Sequence, residues 1–197
     1  MVSLPIKILA WVFIAAWAFA YAAYYPLENF LWTCNIGLIL TALALAADSR
    51  LLLSAVLIVV ALPDLGWVLD VASAAWTGSH LFGGTEYMFD REIPLGIRLF
   101  SFEHLLLTPF LIYSLWGRGY DSRAPAFSAP FLVALYYLTY FLADPAWNVN
   151  WVYGLFGKPQ TIVAPVLYPF VAAMLFCTLL LLPSHFLAKR FIPGQRS

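Results

Sequence analysis

The stretch LLLSAVLIVVALPDLGWVLDVA, Leu51–Ala72, decides the fold. It is apolar apart from Asp64, Asp70 and a few small polar groups. About 20 such residues are what an α-helix needs to cross the hydrocarbon core of a bilayer. Pro63 and Asp64 stand inside it, and a kink is expected there.

Five further segments read the same way: Pro5–Tyr24, Asn29–Ala47, Leu95–Trp116, Ala126–Ala143 and Val163–Leu182. Composition agrees. Of 197 residues, 63% are hydrophobic and 10% charged, and mean hydropathy is +0.86. A water-soluble chain of this length could not keep so much apolar surface dry. The expected fold class is therefore all-α. The chain reads as a polytopic membrane protein, a bundle of six transmembrane helices forming a single integral membrane domain over residues 1–197. AFAYAA, Ala18–Ala23, resembles a cleavage site, but Lys7 alone makes a weak charged start, so the first segment is read as a retained helix.

Charge sets the orientation. Lys7, Arg50, Arg118, Arg123, Lys189, Arg190 and Arg196 fall at one set of helix ends, and Arg91, Arg98 and Lys158 at the other. The positive-inside rule then places both termini in the cytoplasm, most simply of a bacterial inner membrane. Formal net charge is zero and no basic stripe exists, which argues against nucleic acid as a partner. Membrane lipids and other membrane subunits are the expected partners. Cys34 and Cys177 both lie in apolar stretches, so no disulfide framework is expected. Two longer loops, Thr77–Pro94 and Asp144–Gln160, face the outer side and mix aromatic with polar residues, the kind of loop that carries function. LPDLGWVL (Leu62–Leu69) and LPSHFLAK (Leu182–Lys189) share only their Leu-Pro, so no inverted repeat is read.

Ionisable groups inside spanning segments are costly and mark function by default. Here they are Asp64, Asp70, Arg98, Glu103 and His104, with Cys34, Asn35 and Thr108 as milder members. From a rise of ~1.5 Å per residue, His104 lies roughly 14 Å from the outer face, and Cys34 and Asn35 roughly 8–9 Å. With Asp70 near an outer helix end, these groups are expected to share one outward-opening cavity, while Asp64 lies deeper. Ser101, His104 and Thr108 share a helical face. Glu103 is turned about 100° from His104, so its partner is expected on another helix.

Several chemistries were weighed. A membrane haem needs two His at similar depth on facing helices. His104, His185 and His80 do not meet that condition. Zinc could be assembled from His104, Glu103, His80 and Glu86, but no fixed spacing supports it. No nucleophile elbow or phosphate-binding Gly loop is present. An ion path through Asp64, Asp70 and Glu103 would make a small transporter. Acyl transfer would use Cys34 as nucleophile and His104 as base, with Glu103 or Asp70 orienting the His. The alternative is non-catalytic: an accessory subunit in which Glu103 and His104 are interhelical hydrogen-bond partners.

The order FLWTCNIGLIL, ALPDLGW, SFEHLLLTP, WNVNWVYG resembles the YwaF-like integral membrane proteins, whose eukaryotic relatives are lipid acyltransferases. The resemblance touches about 40 residues in these four patches. It implies a Cys in an early helix, a Pro-Asp step in the next, a later His and an Asn-Tyr loop, which correspond to Cys34, Pro63 with Asp64, His104, and Asn150 with Tyr153. Trp32 stands where the family has His, and Asn35 where it has Asp. GTEYMFD and NVNWVYG are also similar to stretches of small bacterial membrane proteins without an assigned role. On this reading the protein is a membrane-embedded enzyme acting on a lipid or acyl chain. Asn35, Asn148, Asn150 and Tyr153 would line the substrate, and no cofactor is assigned.

Overall fold

The computed structural model describes residues 2–192, which are helical with no strand among them. Arg196, counted above among the cations of one end, lies outside the described residues. In chain order the helices are α1 (Leu4–Tyr24), α2 (Thr33–Ala46), α3 (Arg50–Thr77), α4 (Leu95–Phe100), α5 (Glu103–Leu115), α6 (Ala124–Leu142), α7 (Tyr168–Phe176) and α8 (Leu182–Phe191).

Local chemistry sets several boundaries. Pro5 stands in the first turn of α1, where its missing N–H costs nothing. Ser49 caps α3, its hydroxyl accepting from Leu52 N at 3.2 Å. Gly78 ends α3 at φ 74°, a left-handed conformation that favours glycine. A π-helical turn, Cys177–Leu181, joins α7 to α8 directly ahead of Pro183. The wider turn suits a residue that has no N–H and whose ring crowds the carbonyl four residues back.

Five stretches are long and apolar enough to cross a membrane: Leu4–Tyr24, Arg50–Thr77, Leu95–Leu115, Ala124–Leu142 and Pro165–Phe191. The second expected span differs. Its regular helix is only 14 residues, Thr33–Ala46, or roughly 21 Å against a core of about 30 Å. A 3-10 turn, Leu27–Leu31, precedes it. α3 continues as helix through Pro63, and the fourth span is broken at Ser101–Phe102 between α4 and α5.

α3 is the central helix. It packs against α2, α5, α6 and α8, and every residue from Leu53 to Val60 is buried, so this stretch is enclosed by protein on all sides and is apolar except for Ser54. Gly37 of α2 lets the α2 and α3 backbones approach, because a Cβ there would stand 2.5 Å from Val60 Cγ1. Outside, large side chains such as Phe19 and Trp76 are 80% and 92% exposed, a surface suited to lipid.

One end of the bundle gathers charge. Lys7 Nζ lies 2.8 Å from Asp48 Oδ1, joining the start of α1 to the end of α2. Arg118 donates to Asp48 O at 2.6 Å, and Arg50 donates to Arg118 O at 3.3 Å. Asp121 accepts from Arg123 and donates its own N–H to Ser54 Oγ at 3.0 Å. The opposite end carries the two long loops.

Candidate functional site

Cys34, Glu103 and His104 offer a sulfur, a carboxylate oxygen and a ring nitrogen that all lie within 4.8 Å of one another. Cys34 comes from the first turn of α2, and the other two from the first turn of α5. Glu103 is buried, and Cys34 and His104 are partly exposed.

The partner of Glu103 corrects the sequence reading. Its Oε1 lies 2.8 Å from His104 Nδ1, its own neighbour in the chain, not a group on another helix. Both residues stand in the first turn of α5, where the adjacent side chains reach each other although their directions differ by about 100°. His104 Nδ1 also lies 2.9 Å from Ser101 O. Both neighbours of Nδ1 are acceptors, so Nδ1 carries the proton and donates. In the neutral ring Nε2 is then the nitrogen that keeps a lone pair. Trp67 of α3 stacks on the imidazole, with ring centroids 4.8 Å apart and planes 13° from parallel. That contact is worth about 1 kcal/mol and fixes the ring plane.

Asp64 sits one helical turn from Trp67 and accepts from Thr108 Oγ1 at 2.8 Å, and Thr108 sits one turn beyond His104. The seam between α3 and α5 therefore has two rungs, Trp67 on His104 and Asp64 on Thr108. Asp64 Oδ1 and both Glu103 oxygens are buried without a hydrogen bond of good geometry. Above the cluster, Trp67 Nε1 donates to Tyr87 OH at 2.9 Å, and Tyr21 OH pairs with Ser101 Oγ at 2.8 Å. Burial raises the Tyr87 phenol above its ordinary value, so it stays a hydroxyl at neutral pH. Trp67, Tyr21 and Tyr87 did not stand out in the sequence, where aromatic residues read as interface anchors. The one available signal was Trp67 lying three residues after Asp64, on the same helical face.

The other candidates lie elsewhere. Asp70 is not with the cluster. Its carboxylate accepts from Phe82 N at 2.6 Å, Gly83 N at 3.3 Å and the Thr85 hydroxyl, and lies 2.9 Å from His80 Nδ1. It clamps the first outer loop. Glu86 accepts from Gly84 N at 2.6 Å, so neither His80 nor Glu86 joins Glu103 and His104. Arg98 donates to Met88 O at 3.0 Å.

Asn35 Nδ2 donates to Asn29 O at 2.7 Å, which leaves its Oδ1 3.9 Å from Cys34 Sγ. Asn148 donates to Gly154 O and accepts from Tyr153 N, shaping the last outer loop. With Tyr140, Asn148 and Tyr153 line a half-open cavity of about 430 Å³ under that loop. Asn150 accepts from both the N–H and the hydroxyl of Thr33 at 2.8 Å, and donates to Leu31 O at 2.7 Å and Thr139 Oγ1 at 3.1 Å. It caps α2 from a distance and so holds the turn that presents Cys34.

Compared with known proteins, the chain matches no family model, no curated protein and no solved structure.

Proposed function

We propose that this protein is a membrane-embedded enzyme acting on a lipid or acyl chain by cysteine-based acyl transfer. The observation that carries the reading is the meeting of Cys34 with His104 and Glu103 within 4.8 Å, across two helices far apart in sequence. Cys34 Sγ attacks the acyl carbonyl carbon, and His104 Nε2 takes the thiol proton. The carbon–oxygen bond to the leaving alcohol breaks, the same nitrogen returns the proton to that oxygen, and the acyl group rests on sulfur as a thioester. A second alcohol or amine reverses the sequence. Glu103 and Ser101 O hold Nδ1–H, and Trp67 holds the ring plane, so these are positioning groups. In the first turn of α2 the Thr33 N–H is taken by Asn150 and the Ile36 N–H by Trp32 O, which leaves the Cys34 and Asn35 amides as the donors for the developing oxyanion.

On the same reading the chain crosses the membrane six times. Leu27–Leu31 and α2 together make the second crossing, which the Lys7–Asp48 contact supports by returning the end of α2 to the start of α1. The cations gathered at that end support its placement in the cytoplasm of a bacterial inner membrane, with both termini there.

A second reading, an accessory subunit of a larger membrane complex, draws on one observation. The cavities of about 430 and 240 Å³ lie at the last outer loop and not at the cluster.

The deciding experiment is thiol labelling by a lipid-like electrophile in detergent with chelator present, in a Cys177→Ala background so that only Cys34 reports. Rapid labelling that His104→Ala slows about 100-fold supports acyl transfer, since that is the usual worth of a positioned base. A Cys34 inert in both proteins removes the enzyme reading and turns the search to partner subunits.

A further inference from the structure

We infer that Cys34, Glu103 and His104 form a binding site for a divalent d10 cation, Zn²⁺ being the natural occupant. The inference stands on the geometry of the cluster and not on acyl transfer.

The donor set is one thiolate sulfur, one imidazole nitrogen and one carboxylate oxygen, the three ligand types zinc takes. They lie within 4.8 Å of one another. Ligands of a tetrahedral zinc stand roughly 3.3–3.6 Å apart, so closure asks the donors to draw together by at most about 1.5 Å, within reach of side-chain rotation. The imidazole is set up as metal-bound histidines are. Nδ1–H is engaged by Ser101 O at 2.9 Å and by Glu103, which fixes the tautomer and frees the Nε2 lone pair.

Glu103 supplies a second, independent reason. Its side chain is 2% exposed, yet neither oxygen has a hydrogen bond of good geometry. A buried carboxylate without a hydrogen bond calls for a positive charge beside it. Charge also selects the ion. Thiolate and carboxylate together carry two negative charges, which a divalent cation cancels while the histidine stays neutral. A monovalent soft ion would leave a net negative site inside the membrane. Binding expels the Cys34 thiol proton to solvent. Three protein donors leave the fourth tetrahedral position open, as in zinc sites that meet a substrate.

The test uses the full chain, purified in detergent and stripped with chelator. Co²⁺ is titrated as a spectroscopic stand-in, and Zn²⁺ is then added in competition with a chromophoric chelator. One equivalent of Co²⁺ should give a near-ultraviolet thiolate-to-cobalt band that Zn²⁺ displaces and Cys34→Ala abolishes. Glu103→Gln, which keeps side-chain volume, should weaken Zn²⁺ binding beyond the ~10–100-fold that a mere supporting residue is worth. Absence of the band in the native protein overturns the inference without recourse to any variant. So does a band that survives Cys34→Ala, or an affinity unchanged in Glu103→Gln. Because the labelling above is run in chelator, acyl transfer can fail while metal binding stands, and the reverse.

Discussion

At Asn150 one carboxamide makes four hydrogen bonds, three of them buried, to Thr33 N, Thr33 Oγ1 and Thr139 Oγ1, and one partly buried, to Leu31 O. It does so at φ 54°, a left-handed conformation that asparagine tolerates better than most residues. Asn150→Ala therefore orphans several buried groups together, at a cost of about 3 kcal/mol, read as a lowered unfolding midpoint in detergent. Thr108→Val acts one rung below the cluster. It removes the donor to Asp64, whose other oxygen already lacks a partner, and should destabilise by about 1–3 kcal/mol in the same measurement. Cys34 and His104 were legible in the sequence because a thiol and an imidazole are rare enough in apolar segments to ask for an explanation. The pairing of Glu103 with His104 was not, since neighbours about 100° apart on a helix meet only through a particular choice of side-chain rotamers, which spacing does not encode. Asn150 was legible as a polar loop residue, but its work as the distant cap of α2 depends on contacts that no spacing encodes.

Among the elements, the close approach of α2 and α3 has a single cause. Gly37 leaves room for Val60, and a Cβ would arrive 2.5 Å from its Cγ1. Gly37→Ala should push the two helices apart at a cost of about 1–3 kcal/mol. It should also change the Cys34 labelling rate, because Cys34 lies one turn from Gly37 on α2. Val60→Ala in the same chain removes the clashing atom and should restore part of both losses, which separates this contact from a general fault in folding. The spans were readable from hydrophobic run length alone, and four of the six begin and end within a few residues of their expected limits. The sixth, Val163–Leu182, starts near its expected limit but runs on to Phe191 as helix, because the π-helical turn accommodates Pro183. The second was misjudged in kind. Run length counts apolar residues and does not distinguish a regular helix from a 3-10 turn, a break at Trp32 and a short helix.

For the whole molecule, charge fastens the end opposite the long loops. Hydrogen bonds from Arg123, together with the Arg123 and Arg50 charges, hold the Asp121 carboxyl down to about 2, against an ordinary value near 3.8. A carboxylate held low in the folded state stabilises fully above its unfolded value of about 4, and that contribution drains away as pH falls toward the folded value. The unfolding midpoint should therefore drop between pH 4 and pH 2. Asp121→Asn should start from a lower midpoint at neutral pH and show a shallower fall in acid. At the other end Asp70 takes the corresponding part for the first outer loop, accepting from two backbone amides at 2.6 and 3.3 Å.

Thr33 and Asn150 stand 117 residues apart. A ribosome makes the first long before the second. Until the stretch around Asn150 emerges and folds back, the opening turn of α2 has no acceptor for that amide, and the thiol beside it has no fixed address. The half of the cluster that carries the sulfur is thus completed late in biosynthesis, after α5 has already delivered the imidazole and the carboxylate. A nascent chain halted between His104 and Asn150 holds the sulfur, the imidazole and the carboxylate but lacks the Asn150 cap on the turn that carries the sulfur.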